Sequence, residues 1–90
     1  MFVSVVCGIL DNDHKIAAFD CLKRYGFKEI FEGTFESTSI NEKTLTRLKY
    51  DIDKVIDSYD KIRFYQYPVN DTLVISYLSE KKWKKLTLQT

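Results

Sequence analysis

The stretch MFVSVVCGILDNDHKIAAFDCLKRYG, Met1 to Gly26, decides the fold. Its first ten residues are almost continuously apolar and rich in β-branched side chains. That pattern predicts a central strand covered on both faces. Asp11-Asn12-Asp13 supplies a loop and a cap for the helix that follows. From His14 to Tyr25, helical spacing gathers Ala18, Phe19, Leu22 and Tyr25 on one face and leaves Asp20, Lys23 and Arg24 on the other. Gly26 stands where a helix end wants a left-handed residue. A buried strand followed at once by an amphipathic helix opens a mixed domain.

Outward from that pair, Phe27–Phe31 and Thr34–Ser37 are short aromatic-bearing runs separated by Glu32-Gly33. A hairpin turning on Gly33 is expected, with one longer bulged strand as the competing reading. Ser39-Ile40-Asn41-Glu42 fits a capping box. The helix it opens gathers Leu45, Leu48, Ile52, Val55, Ile56 and Tyr59 within about 100° of arc. Ile62 to Tyr67 reads as a strand stopped by Pro68-Val69-Asn70-Asp71, and Thr72 to Leu78 as the last strand. The order is β-α-β-β-α-β with an added C-terminal strand. It predicts an α+β chain of the ferredoxin-like, split βαβ type.

In such a fold both helices cover one sheet face. Strand 62–67 puts Ile62 and Phe64 on one side and Arg63, Tyr65 and Tyr67 on the other. The second face is therefore apolar and aromatic, and it predicts a homodimer joined through sheet faces or exchanged edge strands.

Ninety residues and 10.6 kDa allow one core, placed at residues 1–79, with a basic tail at 80–90 that is a candidate for pairing onto the partner subunit. Hydrophobic residues at 44% and charged residues at 30% argue against disorder. No apolar run reaches the roughly 18–20 residues of a membrane span, and Met1–Leu10 lacks the flanks of a signal peptide. No membrane partner and a cytoplasmic location are the expectations. The net charge is +1, yet Lys81, Lys82, Lys84 and Lys85 face Glu80 alone in the tail, which leaves the body slightly acidic. A globally basic nucleic-acid binder is excluded; a local basic patch is not. Cys7 and Cys21 have neither zinc-finger nor CxxC spacing and read as free, buried thiols.

The opening strand Phe2–Ile9, the helix end Leu22-Lys23-Arg24-Tyr25-Gly26-Phe27, the stretch Gly33-Thr34-Phe35-Glu36-Ser37, the charged helix 42–57 and the strand Asp60-Lys61-Ile62-Arg63-Phe64-Tyr65 follow one another in an order that resembles the CRISPR-associated protein 2 family. The resemblance covers roughly residues 1–78. It implies a ferredoxin-like dimer that acts in CRISPR adaptation, bridging duplex DNA without reading its sequence and scaffolding the CRISPR-associated integrase. It also implies, where family members cleave, a metal-binding aspartate at the end of strand 1. Here that position is Gly8, which offers no ligand. Asp11 and Asp13 are the weaker metal candidates, against loop and cap roles. No catalytic residue and no cofactor are expected; Mg²⁺ enters only if the family's nuclease activity persists. His14, Lys15, Lys81, Lys82, Lys84 and Lys85 are the residues the resemblance offers to DNA phosphates, with a solvated basic tail as the plainer reading.

Other classes fit less well. An RNA-recognition motif shares the element order but needs a basic residue where Glu32-Gly33-Thr34-Phe35-Glu36 carries acid. A small-ligand regulatory domain finds no glycine-rich loop. A metal-dependent endonuclease of the same family, or a messenger-RNA-cleaving toxin of the same fold, needs an acid–base pair or metal carboxylate that Gly8 does not supply. With one histidine, a Ser/His/Asp triad has no signature.

Overall fold

The computed structural model describes residues 1–89, without the side chains of Val69 and Gln89. Six strands and two helices follow in the order β1 (Phe2–Gly8), α1 (Asn12–Arg24), β2 (Lys28–Phe31), β3 (Thr34–Ser37), α2 (Glu42–Val55), β4 (Lys61–Val69), β5 (Thr72–Ser79) and β6 (Lys82–Gln89). The strands form one antiparallel sheet ordered β2-β3-β1-β4-β5-β6. Its first four positions have the split arrangement expected of the element order, consistent with a ferredoxin-like fold.

Both ends of α1 are closed by side chain and backbone. Asp11 accepts from the His14 amide at 2.9 Å. At the other end Gly26 takes φ +88, Gly26 N donates to Lys23 O, and Phe27 N donates to Leu22 O at 3.0 Å. That is a Schellman closure, and its apolar partners Leu22 and Phe27 are both buried. The β2–β3 hairpin turns at Gly33 (φ +83), and β2 is also bulged between Glu29 and Phe31. The hairpin reading holds and the single longer strand bulged at Gly33 does not: Gly33 makes the turn, and the bulge lies inside β2. The second helix starts later than the capping box suggests: Asn41, not Ser39, is the cap, accepting from Thr44 N at 2.8 Å. Ile40 and Leu45, both buried, stand at the positions of a hydrophobic staple.

α2 also stops early. Ile56 is its C-cap, and Tyr59 lies beyond the helix, 81% exposed rather than on the apolar stripe. Pro68 does not stop β4. It sits where the β4–β5 register shifts between Gln66 and Val69, off the regular ladder, so its missing N–H breaks no regular pair. The turn falls instead on Asn70-Asp71, with φ of 51 and 61, the left-handed pair a two-residue hairpin needs. Glu80-Lys81 repeats it with φ of 53 and 60. Most of the expected basic tail is therefore a strand, β6, pairing with β5 of its own chain.

Val3, Val5, Phe35, Ile62, Phe64 and Leu78 meet Ala18, Cys21, Leu22, Leu45, Leu48 and Ile52 in one core. The Tyr25 hydroxyl donates to Asp51 at 2.5 Å, linking the helices. β1 is central, but only one of its faces is covered. Val3 and Val5 are fully buried, whereas Phe2 and Val6 on the opposite face are 37% and 43% exposed. Among the described residues no helix is long and apolar enough to cross a membrane.

Candidate functional site

A strand alternates its side chains, so the lysine cluster of 81–85 cannot act as one patch. Trp83 and Lys85 pair with Leu78 and Ser76 on the helix side of the sheet, while Lys82 and Lys84 pair with Ser79 and Tyr77 on the outer side. Lys81, in the turn, belongs to neither. Its ammonium is 2.8 Å from the Asp53 carboxylate and donates to the carbonyls of Asp53 and Ile56, closing the C-terminal end of α2. It holds the helix.

The outer face divides into two chemistries. Register rows Val6–Arg63–Tyr77–Lys84 and Gly8–Lys61, continued by Ser79–Lys82, carry four exposed cations and no carboxylate. Arg63 lies over the Tyr77 ring at 5.1 Å and donates to the Tyr65 hydroxyl at 3.3 Å, which fixes its guanidinium on this face. The other end is apolar: Phe2 pairs with Tyr67, Tyr65 with Ile75, Ile75 with Leu86, and Leu73 with Leu88. Leu86 and Leu88 are 45% and 54% exposed.

At the end of β1 a cavity of about 310 Å³ is lined by Cys7, Gly8, Lys15, Phe19, Glu32 and Gly33, among others. A Cβ at Gly8 would meet nothing closer than 3.7 Å, so the position has room for a side chain and lacks only a ligand. Asp11 is occupied as the cap of α1, and Asp13 is an exposed residue of its first turn. Lys15 lies 3.9 Å from Glu32. The Cys7 thiol is pushed up to about 12 by burial and then by Glu29, so it stays protonated and inert. Cys21 is buried as expected, but Cys7 is only half-buried. One lysine-paired carboxylate and this half-buried thiol do not fit a Mg²⁺ site, which takes several oxygen ligands.

His14 is engaged elsewhere. Its Nδ1 lies 2.8 Å from Oδ2 of Asp60, which is 1% exposed and also accepts from Asp57 N, and the carboxylates of Asp11 and Asp57 stand 3.8 Å away. The pair ties α1 to the loop before β4. The hydrogen bond to Asp60, aided by the three acidic charges, raises the His14 pKa above its ordinary value. Stability from the charged pair is then fully present below about pH 6.5 and is lost as pH rises through the higher folded value. Thermal melts between pH 5.5 and 8.5 should show the advantage of the native chain over His14→Ala shrinking with rising pH. A constant advantage would show that the charge contributes nothing.

A cleft of about 560 Å³ lies between α2 and the β4–β6 sheet and is built around Lys49, which the sequence presents as one more lysine of a charged helix. Its ammonium donates to Gln66 Oε1 at 3.2 Å and Ser76 Oγ at 3.0 Å, and lies 5.5 Å from the ring centres of Phe64 and Trp83. Burial, with Lys85 adding repulsion, brings its pKa down to about 8. Lys49 follows Leu48 and stands four residues after Leu45, at the margin of the apolar stripe. That margin, and the lone Trp83 among lysines, are the signals from which the cleft could be read.

Compared with known protein families, curated proteins and solved structures, the chain matches none of them.

Proposed function

We propose that two copies of the chain pack through their outer sheet faces and that the pair holds duplex DNA by its phosphates, the bridging role implied by the resemblance to CRISPR-associated protein 2, with an integrase as the protein it scaffolds. The observation that carries this reading is the division of the uncovered face. Its apolar half suits a second copy, and Lys61, Arg63, Lys82 and Lys84 lie beside that half as exposed cations without acidic neighbours in their rows. Such cations contact phosphates without reading bases. A scaffold needs no catalytic group, which agrees with the poor metal fit at Gly8. Of the residues first offered to DNA, Lys82 and Lys84 keep that role. Lys81, His14 and Lys15 are paired within the chain, and Lys85 points into the cleft.

The test is duplex binding by fluorescence anisotropy across a salt series. Affinity should not depend on base sequence and should fall steeply with salt, by about 0.9 in logarithmic slope per phosphate contact. Changing Lys61, Arg63, Lys82 and Lys84 together to glutamine should flatten that slope and weaken low-salt binding about a hundredfold, as expected for several lost contacts. Lys81→Gln should leave the slope alone. An unchanged slope in the fourfold variant would overturn the assignment.

A further inference from the structure

Lys49 is a cation taken largely out of water, and every partner it touches is neutral: an amide oxygen, a hydroxyl and two aromatic rings. A buried ammonium is normally matched by a carboxylate, because desolvation is costly without one. Here the larger electrostatic influence is a second cation, Lys85, with Glu42 a smaller and opposite one. The remaining charged or titratable groups bordering the cleft are Asp53, which is paired to Lys81, Tyr50 of α2, and Lys84, which strand alternation assigns to the outer face; β4 and β5 contribute only Gln66, Val74 and Ser76. Among the described residues no carboxylate is bonded to the Lys49 ammonium, Glu42 acting on it only as the smaller influence, and the cavity beside it is open.

Its walls say what else the occupant carries. Trp83, 36% exposed, packs at 5.7 Å on Phe64 and stands across from Val74 and Leu45. An indole beside apolar side chains recognises a flat ring, and about 560 Å³ lies within the usual range of small-molecule sites. We propose that the cleft between α2 and β6 binds a small planar molecule bearing one anionic group, the anion held by Lys49 and Lys85 and the ring lying against Trp83. Phosphate-bearing and carboxylate-bearing rings share this chemistry. The site lies on the helix side of the sheet, opposite the proposed DNA face, and does not depend on DNA binding.

Trp83 is the only tryptophan, so its emission reports on this cleft directly. The probes are adenosine monophosphate and benzoate, with adenosine and inorganic phosphate as the separate halves of the first. One ring-bearing anion should quench Trp83 saturably and bind at least about tenfold tighter than either half, as an anion and a ring bound together would. Whichever of the two binds more tightly identifies the anion as phosphate or carboxylate. Binding should weaken from pH 7 to pH 9 as Lys49 loses its proton. Lys49→Met, which keeps the apolar stem, should reduce affinity about tenfold or more, the scale of a lost charge-assisted bond. If that variant is misfolded by circular dichroism, Lys85→Gln takes its place with a loss of about threefold. Neither probe saturating by about 10 mM, a limit corresponding to roughly 3 kcal/mol of binding, would overturn the proposal. So would equal binding of the halves, or undiminished binding by the folded variant.

Discussion

Ile52→Asp should unfold the chain. Ile52 is fully buried on α2 between Leu48 and the sheet, within the one core the domain has. The substitution removes a branched apolar side chain, at about 2–5 kcal/mol for a large-to-small change at a closed site. It also buries a carboxylate with no partner, adding at least about 1–3 kcal/mol even when the group escapes charge by protonation. A domain of this length has only about 5–13 kcal/mol to lose. Val55→Asp, at the partly exposed last turn, should cost far less, about 1–2 kcal/mol. Tyr50→Asp, at a position 66% exposed, should stay within about 0.5 kcal/mol. Urea midpoints should rank the variants in that order. Equal midpoints would mean that the apolar phase of α2 is misassigned.

That phase was legible because it is local. The spacing of Leu45, Leu48 and Ile52 determines which side of α2 is buried whatever covers it, and Gly26 and Gly33 take the left-handed conformations their neighbours require. The departures come from pairings across the chain. Pro68 looks like a stop until the register shift beside it takes it off the ladder. Lysines 81–85 read as a tail because charge dominates their composition. Yet Glu80-Lys81 adopts a two-residue turn, and β5 offers an edge for the next eight residues. The site residues follow the same rule. His14 finds Asp60 across 46 positions and Lys49 finds Ser76 across 27, separations at which no local pattern brings residues together. Spacing puts Lys49 at the margin of the apolar stripe and Lys54, five residues on, away from it, but it does not say what that margin faces. That comes from β6, which lays Trp83 beside Lys49.

Leu86→Glu with Leu88→Glu should turn a dimer into a folded monomer. The two leucines lie on the edge strand, 45% and 54% exposed, opposite Ile75 and Leu73 on the face that no helix covers. In an isolated chain, exchanging such half-exposed leucines for charge changes stability little, typically within about 0.5 kcal/mol each. Against a second copy the same exchange puts four carboxylates into one apolar seam, since a two-fold axis doubles every change. A stable interface buries roughly 1,600 Å² in total and depends on a dry centre, so buried like charge there should weaken association by several kcal/mol, a factor of a thousand or more in the dissociation constant. Light scattering at micromolar concentration should give twice 10.6 kDa for the native chain and 10.6 kDa for the variant, with unchanged far-ultraviolet circular dichroism. The variant should also lose DNA affinity while keeping Lys61, Arg63, Lys82 and Lys84, because one protomer presents half the cations of the pair. A native chain that scatters as 10.6 kDa up to 100 µM, a concentration at which any dimer with a dissociation constant of about 1 µM or tighter (about 8 kcal/mol of association) would persist, removes the second copy from this face. The cations would then have to hold DNA one protomer at a time.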